Sequence, residues 1–204
     1  MAKLALNKSS LQKERERLHL LQRLLPSLDL KRRQLTLELS RANGRMAKTQ
    51  ADMEILETQT VNQIPMLANL DIDVEGLLTI RDVRLGEENV VGVKLPVLED
   101  ITFQKLEYSK LAKPHWVDLL VVRLKDMVTL RVRVEVAAER VRRLAAAVRR
   151  ITQRVNLFDK ILIPTTKGNI KKIQIFLGDA ERAAVVRSKL AKAKHRRSAP
   201  EEIF

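Results

Sequence analysis

Two ladders of apolar residues, each with a seven-residue step, run through the first 60 residues. One carries Leu4, Leu11, Leu18, Leu25, then Arg32, then Leu39, Met46 and Met53. The other carries Leu21, Leu28, Leu35, Ala42 and Leu56. They stand three residues apart, as the a and d positions of a heptad do, so together they predict one seam along a helix of about 60 residues, roughly 90 Å at 1.5 Å per residue. Pro26 and Asn43-Gly44 are its weak points. Proline has no amide to donate and its ring crowds the preceding turn, yet the ladder continues through Pro26, which predicts a bend and not a stop.

The pattern returns from Trp116, with Leu120, Met127, Val134, Val141, Val148, Val155 and Leu162 at an unbroken seven-residue step. Val117, Leu124, Ala138 and Ala145 read as its partner row. Arg131, Thr152 and Asp159 interrupt that row and Pro164 follows, so the coil should lose strict register near its middle, with the helix resuming at Ile170, Ile173, Leu177, Ala180 and Ala184 and fraying toward Lys192. The predicted seam is therefore Leu11, Leu18 and Leu25 from the first helix against Leu120, Met127, Val134, Val141, Val148, Val155 and Leu162 from the second.

Between the ladders the heptad vanishes and Pro65, Pro96, Pro114, Gly76, Gly86 and Gly92 accumulate. The β-prone runs Leu78–Leu85 and Val90–Leu95 flank Gly86-Glu87-Glu88-Asn89, which predicts a hairpin turning at those four residues. A stretch of about 50 residues is longer than a helical hairpin needs, so a small head is expected. The expected fold is mainly α: a long antiparallel two-helix coiled coil with a small middle head containing a β-hairpin. Its parts are an N-terminal helix over 1–65, the head over 66–114, a C-terminal helix over 115–197 and a flexible tail over 198–204.

Composition agrees with thin helical packing. Aromatic residues make up only 3% of the chain, too few to fill a thick globular core. Cysteine is absent, which removes thiolate chemistry and disulfides, and His19, His115 and His195 form no metal-spaced pair. No Gly-Lys-Ser or Gly-Lys-Thr phosphate loop occurs, and no Ser-His-acid grouping can be nominated. The pairs Asp71 and Asp73, or Glu87 and Glu88, read as turn and surface residues. No catalytic, cofactor-binding or metal-binding residue is expected, and the chain reads as a non-enzyme. No run reaches the roughly 18 apolar residues of a spanning helix, so a cytoplasmic location without membrane insertion is expected.

The formal charge of +14 calls for acidic partners. Arg131, Arg133, Arg140, Arg142, Arg143, Arg149, Arg150 and Arg154 face only Glu135 and Glu139 in their segment, and further Lys and Arg residues follow to Arg197. The bland interpretation is a solvated coiled-coil face. A basic nucleic-acid-binding coiled coil is the alternative functional reading, but the compact patch or interleaved aromatics usual for that task are missing.

The C-terminal segment carries Arg154-Val155-Asn156, Ile161-Leu162-Ile163-Pro164, Asn169-Ile170-Lys171-Lys172-Ile173 and Glu181-Arg182. Together with Asn7-Lys8-Ser9, Leu11, Arg17-Leu18, Leu21, Leu30-Lys31-Arg32 and Leu35, it resembles the D subunit of the V-type and archaeal-type rotary ATPases. The resemblance covers both ends of the chain. It implies a central axle whose coiled coil enters a ring of A and B subunits and whose other end meets the small F subunit of the central stalk and the socket subunit (C/d type) of the membrane rotor. It implies no nucleic-acid partner and no cofactor. With both termini at one slim, basic end, Lys171, Lys172, Arg182 and Arg187 are the expected contacts with the catalytic ring.

Overall fold

The computed structural model describes residues 4–65, 77–104 and 116–198. The order of elements is α1 (Lys8–Gln63), β1 (Thr79–Val90), β2 (Val93–Gln104), α2 (Trp116–Asn156), a π-helical turn (Leu157–Leu162) and α3 (Ile163–Ser198). The protein is mainly α, with long N-terminal and C-terminal helical runs and one antiparallel two-stranded hairpin. The outer parts of the expected head, 66–76 and 105–115, and the tail at 199–204 lie outside the described residues. The chain divides into two compact units: Met1–Leu30 with Thr152–Phe204, and Lys31–Ile151.

In the first unit, α1 opens on Asn7, whose Oδ1 accepts the Ser10 amide at 2.7 Å while its carbonyl accepts the Leu11 amide at 3.1 Å. This is an N-cap, which satisfies a donor that the first helical turn leaves without a partner. Helix α1 continues through Pro26. Leu11, Glu14, Leu18, Leu25 and Leu28 are half-buried and Leu21 is buried, a 3-4 spacing that follows the first ladder and its partner. Glu14 is the polar member of the row: its Oε2 is shielded and lacks a hydrogen bond among the described residues.

The returning helix of this unit carries its seam in two phases. Val155 is buried, but the next buried residues are Ile163, Thr166 and Ile173, with Ile170 and Leu177 half-buried. From Val155 to Ile163 is a step of eight, after which sevens resume as Ile163, Ile170, Leu177 and as Thr166, Ile173. The extra residue is taken up by the π-helical turn, where the Ile163 amide donates to the Phe158 carbonyl, five residues back. Pro164 stands immediately after it. Without an amide of its own, and with a ring that pushes away the carbonyl four residues earlier, Pro164 disfavours an ordinary α turn at this point. Strict heptad register is lost here, as expected, but the helix does not break and resume at Ile170: it is continuous to Ser198, past Lys192. The proline widens one turn and moves the seam by one position, and Ala180 and Ala184 are exposed. Leu162 is half-buried and Ile163 next to it is buried.

In the second unit α1 presents Arg32, Leu35, Leu39, Ala42, Met46, Thr49, Met53, Leu56 and Thr60 at 3-4 spacing, with Leu35 and Thr60 buried and the others half-buried. Thr60 is satisfied by donating its hydroxyl to the Leu56 carbonyl at 2.7 Å. On α2, Leu120 and Val134 are buried and Met127, Val141 and Val148 half-buried. The partner row differs from expectation. After Leu124 it runs through Leu130, Ala137, Leu144 and Ile151, and Leu144 and Ile151 are buried while Ala138 is exposed. Two candidate rows lie one residue apart here, and the larger side chains take the interior because each buries more apolar surface. One end of the unit is closed by Ile64, Leu77, Val117 and Leu120, with Trp116, Val121 and Leu124 packed on them. Beside this cluster Arg123 Nη2 donates to Gln63 Oε1 at 2.9 Å.

The hairpin turns at Val91-Gly92, not at Gly86–Asn89. Gly86 pairs with Val97, Asn89 with Lys94 and Val90 with Val93, so the four residues expected to turn belong to β1. A two-residue hairpin turn of type I′ has positive φ at both central positions, and Val91 has φ 53° and Gly92 φ 80°. Glycine enters that region freely, whereas a β-branched residue there is strained by about 1–2 kcal/mol. Val91→Asn, which supplies the favoured Asn-Gly pair, should raise stability by about 1 kcal/mol, read as an increase of roughly 2–4 °C in Tm. An unchanged or lower Tm would show that Val91 is relaxed.

Candidate functional site

The first unit ends as an exposed, basic helix. Lys8, at the start of α1, lies 3.9 Å from Glu181 of α3, and both side chains are largely in solvent. From Asp179 to His195 no residue of α3 is buried or half-buried, so no helix among the described residues covers this stretch. It carries Arg182, Arg187, Lys189, Lys192 and Lys194 against Asp179 and Glu181, and it leaves Val185, Val186 and Leu190 54%, 55% and 64% exposed. Lys171, Lys172, Arg182 and Arg187, the expected contacts with a catalytic ring, are all exposed. Arg182 has a long 3.6 Å pair to Asp179, weak at such exposure. Sequence reasoning did not use Ile175 and Phe176, which are 56% and 47% exposed on the same helix. Their position outside the 163/170/177 and 166/173 rows could have revealed them once the one-residue shift was known.

The second unit positions the hairpin through arginines of α2. Arg140, whose side chain is only 17% exposed, donates to the Pro96 carbonyl at 3.0 Å and to Glu88 Oε2 at 2.7 Å. One turn on, Arg143 donates to the Lys94 carbonyl at 3.2 Å. Lys94 pairs with Asn89 and Pro96 with Glu87 on β1, and α2 covers the opposite edge of β2 with guanidinium donors. An open strand edge would otherwise offer its carbonyls to another chain.

Glu139 steadies this arrangement. It accepts hydrogen bonds from Arg143 Nε and Arg142 Nε, each at 2.7 Å. The bond from Arg143 is the largest influence, desolvation opposes it, and the bond and charge of Arg142 add to it, so that the carboxyl is held below the usual carboxylate range. Its contribution is present at neutral pH and is lost as pH falls through that lowered value.

Among the described residues no group of three or more His, Asp or Glu side chains converges in a metal-binding arrangement. No helix of the described residues is long and apolar enough to cross a membrane. Long helices, a basic helix end and a hairpin fastened by side chains define a mainly α class of protein.

Comparison with known proteins gives the family. The family profile described as the D subunit of ATP synthase matches residues 10–193. The chain is 33% identical over 193 residues to the D subunit of the V-type ATP synthase of Borreliella burgdorferi, covering 95% of each. It is 37% identical over 198 residues to the protein of the same name from Chlamydia muridarum, covering 95% of this chain and 96% of the relative. The chain belongs to the ATP synthase D-subunit family, and it is a non-catalytic central-stalk component of a rotary ATPase.

Proposed function

We propose that this chain is the rotor axle of a V/A-type, proton- or sodium-translocating ATPase or ATP synthase, transmitting torque between a catalytic ring and the membrane rotor. Family membership carries the reading, and the uncovered basic end of α3 supports it in detail. A single helix about 10–12 Å across can enter a narrow pore that a thicker bundle could not. Its lysines and arginines attract acidic loops of surrounding A and B subunits over roughly a Debye length without a fitted pocket, so no one rotational position is held deeply. The small F subunit of the central stalk and a socket subunit of the C/d type are the further partners. The complex then places this chain peripherally, outside the bilayer. No observation favours the nucleic-acid alternative.

Replacing Lys171, Lys172, Arg182 and Arg187 together with Gln removes four positive charges from exposed positions and should leave folding unchanged. Association with the reconstituted ring should weaken about tenfold at low salt and less at physiological salt, because screening already reduces the parent's attraction. ATP-driven rotation at two salt concentrations is the check. Parent-like assembly and rotation at both would overturn the electrostatic bearing and leave the axle role to be tested by co-purification with ring subunits.

A further inference from the structure

The second unit contains a cavity of about 180 Å³ bounded by α1, β2 and α2. Val97, Leu98 and Val136 line its apolar part, and Arg45, Arg133 and Arg140 stand around it. Arg140 is committed to Pro96 and Glu88. The guanidinium groups of Arg45 and Arg133 are different: both residues are exposed, and neither group has a hydrogen bond or ion pair to a described residue. Two unneutralised forks beside a third, already satisfied one make a locally positive rim over an apolar floor.

We propose that this cavity receives a carboxylate side chain of a partner subunit, with an apolar neighbour of that residue seated on Val97, Leu98 and Val136. The proposal rests on the chain's being a stalk component of a larger complex. Guanidinium groups hold a carboxylate through paired N–H donors, and arginine beside apolar surface is a frequent centre of binding energy in protein interfaces. Size argues against a free cofactor, since small-molecule sites start near 300 Å³. One Asp or Glu side chain with part of its neighbour fits the observed volume.

The test uses the full chain assembled with the other subunits of its complex. Arg45→Lys and Arg133→Lys keep the charge and introduce amines that a carbodiimide joins to a carboxylate in direct contact. The expected result is a zero-length cross-link from position 45 or 133 to an Asp or Glu of another subunit, flanked by an apolar residue. The double reversal Arg45→Glu and Arg133→Glu should weaken that subunit's retention at least about tenfold, with Tm and the protection of the hairpin amides unchanged because Arg140 is intact. Links only to this chain's own acids, links to a second copy, or no link and undiminished retention each overturn the proposal. In that case native lysines elsewhere on the chain still link to other subunits and the stalk reading stands. If no lysine of the chain links to any subunit, both readings fall.

Discussion

Deleting Lys160 from a chain that also carries Pro164→Ala should leave the first unit folded, with Tm within about 3 °C of the parent, whereas deleting Lys171 should lower stability by roughly 3 kcal/mol. Both lysines are exposed, so neither loss removes a buried contact. The difference lies in register. A residue removed from the π-helical turn brings Val155 and Ile163 seven apart, and an ordinary α-helix then joins the two phases of the seam; alanine at 164 supplies the missing amide. A residue removed between Ile170 and Ile173 turns everything beyond it by about 100°, because each residue advances an α-helix by that angle. Ile173, which is 0% exposed, then leaves the seam, and loss of a buried Ile typically costs about 2–5 kcal/mol. Thermal unfolding of the two deletion variants decides the matter. Equal destabilisation would mean that the π-helical turn is held by local sequence alone and does not absorb the inserted residue.

The same reasoning explains how much of the fold the sequence disclosed. Leucine and methionine mark most of both rows of α1, so its seam was largely readable, including the half-buried Arg32, whereas Glu14, Thr49 and Thr60 carried no apolar signal. On α2 the alanines at 137 and 138 offered two rows one residue apart, and only the burial of Leu144 and Ile151 decides between them. At Pro164 the sequence disclosed that the regular heptad must give way, but whether a helix breaks or widens depends on what its downstream residues can bury, here Thr166 and Ile173. The hairpin was legible and its turn was not: Gly86 sits among turn-forming residues, while the true turn places a valine in left-handed conformation beside Gly92.

The candidate site shows a similar division. The charge of the α3 end is plain in the sequence, but the exposure of its described residues from Asp179 to His195 was not. The anchoring role of Arg140 had no signal in a single sequence. Its partners lie 44 and 52 residues away, and one of them is a backbone carbonyl, which every residue possesses.

Arg140→Ala should loosen the hairpin from α2 by about 2 kcal/mol while leaving the paired helices folded. The substitution removes the donor to the carbonyl of Pro96, a buried residue, and a buried acceptor left without a partner is destabilising by about 1–3 kcal/mol. The ion pair with Glu88 adds less, because the Glu88 side chain is 52% exposed and water screens the interaction. Glu88→Gln is therefore expected to weaken the attachment by under about 1 kcal/mol, and Arg140→Lys to fall between the two, since an ammonium cannot span both acceptors as a planar fork does. Hydrogen exchange at the amides of β2 measures the attachment locally: a loss of about 2 kcal/mol appears as roughly 30-fold faster exchange, with the amides of α1 near Leu35 unaffected. If Glu88→Gln releases the hairpin as fully as Arg140→Ala, the anchor is the exposed ion pair and the carbonyl contact is incidental.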